Sequence, residues 1–393
     1  MAKEEKKAPK LRFNGYTNDW EQQELGAVVE FYSGLTYKPE NVVQNGTLVI
    51  RSSNIHNNQY INADNVYVKN NIVNSEYVQE QDIIVVVRNG SRNLIGKHAL
   101  LKSIPHDPSV IGAFMTGIRS LNNQFIEAVL NTEKFKREIN KNLGATINQI
   151  TTSQFKKMKF NFPKREEDKQ IGILFNYLDD TIQLHERKCE ELILIKKALL
   201  QKLFPKRDEV RSEVRYKNFS DAWKQRKLRD VVKTTIGEFV IKTKQKEDSP
   251  YPVYNGGTSY TGFYDDYNND SNKIIISARG ANAGFVNIVR QRYWAGNSCY
   301  SLSILNNQEM DLDYLYQMLK QRQHLFTDFQ QAANIPSVSK KDVETFKVYT
   351  PSFEEQKKIG LFLTRFDSLI DLHQRKLEKL KQLKKFLLQN MFI

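Results

Sequence analysis

A long amphipathic segment occurs twice in this chain, and each copy reads as a single helix. Residues 163–205 and 351–393 align without a gap at a constant offset of 188 residues. The offset pairs Glu166 with Glu354, Glu167 with Glu355, Ile171 with Ile359, Gly172 with Gly360, Asp179 with Asp367, Ile182 with Ile370, His185 with His373, Arg187 with Arg375, Glu190 with Glu378, Leu199 with Leu387, Gln201 with Gln389 and Phe204 with Phe392. A repeat of this length is a duplication. In the first copy Ile171, Phe175, Leu178, Ile182, His185, Cys189, Leu192, Lys196, Leu199 and Leu203 recur at alternating spacings of four and three, the seam of a coiled coil. The second copy supplies Ile359, Leu363, Phe366, Ile370, His373, Leu377, Leu380, Lys384, Leu387 and Met391. A His and a Lys stand at the same two rungs of both seams, and polar seam residues commonly fix register. The pattern therefore predicts two helices paired in one antiparallel alignment. Roughly 38 residues at about 1.5 Å each make a rod of about 57 Å. The competing reading is that each helix packs on its own neighbouring domain. The narrow apolar stripe, with Glu186, Arg187, Glu190 and Lys197 outside it, favours mutual pairing.

With 393 residues, 40 % of them hydrophobic and 26 % charged, the chain has room for two or three domains with proper cores. The strongest apolar run, near 83–87, is far too short to span a bilayer, and residues 1–10 are a Lys/Glu-rich tail rather than a signal peptide. Cys189 and Cys299 make neither a disulfide framework nor a zinc set, which fits a reducing, cytoplasmic setting. A formal charge of +14 and a pI of about 9.4 make a polyanion the first partner to consider. Nucleic acid fits better than membrane, because no cationic amphipathic terminus or lipidation motif is present.

A second repeat sets the domain plan. Leu11-Arg-Phe-Asn-Gly-Tyr-Thr-Asn-Asp-Trp20 returns as Val214-Arg-Tyr-Lys-Asn-Phe-Ser-Asp-Ala-Trp223, so each half opens with the same aromatic motif and closes with the same helix. The expected plan is a tail over 1–10, a domain over 11–162, a helix over 163–205, a charged linker over 206–213, a domain over 214–350 and a helix over 351–393. Between the repeats the halves diverge. The first carries β-branched strand patterns over 47–51, 65–69, 82–88 and 98–103; the second carries them over 273–277, 285–289 and 299–304. Helical patterns follow over 124–142 and 312–330, and 140–150 aligns with 328–338. Two α/β (α+β) domains in tandem on one scaffold, with dissimilar interiors, imply one task performed on two targets.

No catalytic constellation stands out. Gly90-Ser-Arg-Asn-Leu-Ile-Gly96-Lys97-His98 misses the P-loop spacing by one residue and puts His98 where a Ser or Thr must reach magnesium, so it reads as strand–turn–strand. Gly-x-Ser-x-Gly, His-Glu-x-x-His, Cys-x-x-Cys, an Asn-Pro-Pro-Tyr type tetrapeptide and a glycine-rich S-adenosylmethionine loop are all missing. What remains are polar loops able to face DNA. In the first half these are Arg51, Ser53 and Asn54, then Arg88, Asn89, Ser91, Arg92, Asn93 and Lys97. In the second they are Asn255, Thr258, Ser259 and Tyr260, then Ser277, Arg279 and Asn282, and finally Asn297. Arg and Lys suit guanine, Asn and Gln suit adenine, and Ser and Thr suit either. Turns of any function also use Asn, Gly and Ser.

The Arg-Phe/Tyr-x-x-Phe/Tyr-Thr/Ser-x-x-Trp openings at Arg12 and Arg215, Ser277-Ala-Arg-Gly280 followed by Gly284, and the Pro-x-x-Glu-Glu-x-x-x-Ile-Gly helix starts at Pro163 and Pro351 resemble the specificity subunit of type I restriction-modification systems, over essentially the whole length. One departure is Asp168, where the family often has Gln, as Gln356 is in the second copy. The resemblance implies a pseudo-two-fold, non-catalytic chain whose two target recognition domains each read one half of a bipartite DNA sequence. It also implies two modification subunits, which carry S-adenosylmethionine and methylate a flipped base, and restriction subunits using ATP and magnesium. No cofactor is expected in this chain. The alternatives are a coiled-coil adaptor between proteins and a fused methyltransferase.

Overall fold

The computed structural model describes residues 8–104, 106, 108–144, 148–206, 209–327 and 336–393; most of the expected tail lies outside them. The chain divides into two compact units, Met1–His185 with Arg375–Ile393, and Glu186–Gln374. This division cuts across the expected plan, because it halves both long helices. These run over Arg165–Leu203 and Phe353–Asn390, each starting two residues after its proline and carrying acids in its first turn, where the helix dipole favours them. Each unit therefore holds the beginning of one helix and the end of the other.

In the first unit one sheet orders Ser109–Ile111, Thr47–Ile50, Val66–Val68 and Val42–Val43, the first pair parallel and the others antiparallel. A second, antiparallel sheet orders Glu30–Ser33, Met115–Arg119, Ile83–Val86 and His98–Leu100. In the second unit the corresponding sheets are Val232–Ile236, Cys299–Ile304, Lys273–Ser277, Val286–Val289, and Gly262–Tyr264, Tyr251–Tyr254, Trp294–Ala295. The helical stretch expected over 124–142 is two helices, Asn123–Leu130 and Glu133–Asn142. Thr132 breaks it by accepting a hydrogen bond from Phe135 N as the second helix's N-cap. The one expected from 312 ends at Gln321 and continues as a tight turn over Gln323–Phe326; residues 328–330 lie outside the described residues.

The repeated motifs hold each unit's two ends together. Glu21–Glu24 pairs antiparallel with Lys159–Phe162, and Lys224–Lys227 with Lys347–Thr350, so the opening segment lies beside the strand that feeds the long helix. At the head of that helix Glu167, 1 % exposed, accepts two hydrogen bonds from the Arg12 guanidinium (2.8 and 2.7 Å) and one from Trp20 Nε1 (3.2 Å). Glu355, fully buried, accepts the same fork from Arg215 (2.9 and 2.6 Å). Both arginines also donate to a carbonyl six residues further on, Asn18 O and Asp221 O, and the carboxylate holds each guanidinium pKa above its usual value. One turn on, Gly172 and Gly360 let the long helix cross the start of a domain helix. A Cβ would stand 2.8 Å from Phe125 N at the first and 2.7 Å from Tyr314 N at the second. Asp168 and Gln356 bind the caps of those same helices: Asn122 Nδ2 donates to Asp168, and Asp311 N donates to Gln356 Oε1. The departure at Asp168 thus changes the chemistry of a cap contact and leaves its location unaltered.

The far end of the other helix completes each core. In the first unit Phe392 packs on Trp20, Phe125 and Phe175 at ring separations of 6.0, 5.8 and 5.6 Å. In the second, Phe204 packs on Trp223 and Tyr314 at 6.4 and 5.5 Å. Leu380 and Leu387 join the core that contains Ile171 and Leu178, and Leu199 joins the core that contains Ile359. The seam lysines meet acids within each unit: Lys384 Nζ donates to Asp179 (2.5 Å), and Lys196 donates to Asp367. In the first unit Phe175 meets Phe392 and Asp179 meets Lys384, so the helices run antiparallel there. The stripe is as narrow as expected. Over 368–386 the covered positions are Ile370, His373, Leu377, Leu380 and Lys384, and over 186–199 they are Glu186, Cys189, Leu192, Lys196 and Leu199. His185 and Phe366 are also half-buried. Both readings of the helices thus hold in part, because each start packs on its own domain and is joined there by the other helix.

Removing Arg12 leaves a buried carboxylate unpaired, so Arg12→Ala should destabilise by about 3 kcal/mol in urea unfolding, whereas the double change Arg12→Met, Glu167→Leu should destabilise less. Equal losses would show that the unpaired carboxylate is not the source of the cost.

Candidate nucleic-acid interface

In each unit three loops, distant in sequence, converge at one end of the two sheets. In the first, Asn89 Nδ2 donates to Ser52 Oγ (3.2 Å) and Lys97 Nζ to Ser52 O (3.4 Å), joining the loop at Arg51 to the loop over 88–97. Gly112 N donates to Ile50 O and Val87 N to Phe114 O, which brings in a third loop over 112–114. In the second unit Asn255 Oδ1 accepts from Ser298 N (3.1 Å), Ser277 Oγ donates to Gly257 O (2.9 Å) and Ala278 N donates to Ser298 O (2.8 Å).

These backbone bonds superimpose one interior on the other. Gly112 N to Ile50 O matches Gly296 N to Tyr254 O; Ile150 N to Val87 O matches Val338 N to Ala278 O; Asn89 N to Asn148 O matches Gly280 N to Pro336 O. Isolated bridges then place Arg88 opposite Gln149 and Arg279 opposite Ser337. Arg88 and Arg279 consequently occupy the same backbone position in two interiors of unrelated sequence, and both side chains are exposed. Tight turns at Gly112–Met115 and Gly296–Cys299, each closed by a 2.9 Å bond, make Phe114 the counterpart of Ser298.

The sequence-derived candidates separate by burial. Ser53, Arg88, Ser91, Arg92, Asn93, Thr258, Ser259, Tyr260, Arg279 and Asn282 are exposed, and Asn297 is half-buried. Arg51, Asn89, Lys97 and Asn255 are half-buried and tie loop to loop; Arg51 Nη2 donates to Asp64 O (2.5 Å). Two candidates are corrected. Asn54 is fully buried, accepting from Arg51 N and donating to Ala63 O and Asn65 Oδ1, and Ser277 is buried with its hydroxyl on Gly257 O. Both staple the loops from inside and cannot face a ligand. Phe114 was missed in the sequence: a solitary Phe after a strand reads as core, yet it is 52 % exposed.

Gly90–Lys97 connects the antiparallel strands Ile83–Val86 and His98–Leu100 through a turn over Arg92–Leu94, the strand–turn–strand form expected of it. Beside the second patch, burial pushes the Cys299 thiol up to about 12, so it is protonated and not a nucleophile at neutral pH. Among the described residues no helix is long and apolar enough to cross a membrane.

The profile of the family described as type I restriction modification DNA specificity domain matches residues 17–193 and 220–382, once in each half. The chain belongs to this family. A putative type I restriction enzyme specificity subunit (MjaX) from Methanocaldococcus jannaschii is 25 % identical over 93 % of this chain and 91 % of its own length. The EcoKI specificity subunit of Escherichia coli is 27 % identical over 46 % of this chain and 41 % of its own. The solved S subunit of a type I restriction-modification system from M. genitalium covers 98 % of this chain and 99 % of its own at a TM-score of 0.75 and 18 % identity, a likeness of fold. With two specificity domains in tandem, the chain is a non-catalytic DNA-recognition subunit, and its two loop clusters are the surfaces to examine for DNA.

Because the buried Asn54 side chain bonds to Arg51 N, Ala63 O and Asn65 Oδ1, Asn54→Ala should lower stability by roughly 1–3 kcal/mol, read as a fall in the unfolding midpoint. An unchanged midpoint would return Asn54 to the list of available ligand contacts.

Proposed function

We propose that each unit reads one half of a bipartite, asymmetric DNA target through its three-loop cluster, with Arg88 and Arg279 as the central base contacts. The carrying observation is their shared backbone position. Interiors that have diverged almost everywhere keep an exposed arginine at the point where the loops meet, flanked by residues that differ. An arginine there can donate two bonds to guanine O6 and N7, while the exposed Ser, Asn and Thr neighbours supply contacts that vary from half to half. The net charge of +14 supports sequence-independent attraction to the phosphates.

The long helices set the unread spacer between half-sites and dock the modification subunits, which carry S-adenosylmethionine; restriction subunits with ATP and magnesium join that complex. Support for paired docking comes from the outer helix face. Ile173, Leu184 and Ile195 stand exposed at spacings of eleven residues, three helical turns, and Leu361, Leu372 and Leu383 stand exposed at the same positions of the second copy. Two copies of one partner fit two copies of one apolar row.

Arg279→Ala should weaken binding by roughly 1–3 kcal/mol at one half-site and relax the base preference there, and Arg88→Ala should do the same at the other half-site. Binding selections from a randomised duplex pool check this. Equal loss on every sequence would make both arginines phosphate contacts.

A further inference from the structure

The two clusters differ in what stands beside the shared arginine, and this difference assigns a base contact to a residue outside the polar loops. Phe114 is the third residue of the tight turn Gly112–Met115, and its carbonyl accepts from both Val87 N (3.0 Å) and Arg88 N (3.2 Å). The backbone on either side is fixed, and the ring is directed to solvent. The Arg88 guanidinium lies over it, 5.0 Å from the ring centroid. A stacked guanidinium loses freedom but keeps its in-plane donors, so the ring aims the arginine. In the second unit the matching residue is Ser298, which offers Arg279 no such surface.

We propose that Phe114 is a specificity-determining residue of the first half-site and that it packs against the 5-methyl group of a thymine next to the guanine taken by Arg88. This rests on the DNA-reading role argued above. Successive bases on a strand are about 3.4 Å apart, so two side-chain groups in stacking contact can reach neighbouring bases. The major-groove edge of thymine presents a methyl group, which takes apolar contact, whereas a phosphate would repel a face of π electrons. Ser298 in the same position would accept or donate a hydrogen bond, so the second half-site carries no such dependence at that place.

The test uses the full-length chain in its native complex and the duplex recovered by selection from a randomised pool. It compares wild type, Phe114→Ser and Phe114→Leu on that duplex and on versions with single thymines replaced by deoxyuridine, which lacks only the methyl. One deoxyuridine beside the guanine of the first half-site should weaken wild type roughly fourfold, as expected for one methyl group removed from apolar contact. Phe114→Ser should lose at least that factor on the thymine duplex, because the ring also steadies Arg88, and show no further loss with deoxyuridine, and Phe114→Leu should recover part of the binding. The inference is overturned if Phe114→Ser binds like wild type, loses equally on all sequences, or remains sensitive to the methyl. Failure of Arg88→Ala to affect either half-site would instead overturn the reading on which it rests, whatever the Phe114 variants do.

Discussion

A buried carboxylate at the head of each long helix fixes the rest of the structure. Glu167 and Glu355 are taken out of water at points where the helix dipole favours negative charge, and burial without a partner would be strongly unfavourable. The forked donors come from Arg12 and Arg215, residues at the opposite end of each domain's sequence. Satisfying the carboxylate therefore closes the domain. It brings the opening segment beside the strand that feeds the helix, and it puts Trp20 and Trp223 where a terminal phenylalanine can cover them. Because Phe392 and Phe204 come from the helix of the other half, neither core is complete from one half of the sequence. The duplicated residues make sense as one closure used twice.

The closure leaves the loop ends of the sheets with a different obligation. Their backbone bonds repeat from unit to unit, so the loop frame is shared, but apart from the paired arginines the side chains projecting from it are not. Asn54 and Ser277 show how the frame is locked, by buried polar groups that bond neighbouring loops from within. Arg88 and Arg279 show what the frame presents. On the proposed reading, a fixed backbone with exchangeable side chains allows the target sequence to change while the closure and the helix contacts are untouched.

Much of this was legible in the sequence, for reasons that also explain the failures. The helices, the seam lysines and the two openings repeat because they answer to one another, and repetition is visible without coordinates. Strands 273–277 and 299–304 were legible from β-branched runs, and their bounds agree with Lys273–Ser277 and Cys299–Ile304. The equivalence of Arg88 and Arg279 was hidden, since insertions and deletions separate them by an offset found in neither repeat, and only the flanking hydrogen bonds restore it. Asn54 was misread because an asparagine in a turn looks the same whether it bonds inward or outward. Phe114 was missed because hydrophobicity predicts burial on average; its equivalence to Ser298, like that of the arginines, is set by hydrogen bonds and leaves no mark in the sequence.

The central claim is that the closed scaffold and the reading interior are separable. It is tested most directly by a chain in which residues 11–162 are replaced by 214–350, so that Arg215 meets Glu167 as Arg12 does and both interiors are those of the second half. Target sequences would be recovered by selection from a randomised duplex pool. The account predicts that both half-sites become the sequence formerly read by the second unit. A folded chimaera that still selects the original asymmetric target would contradict it.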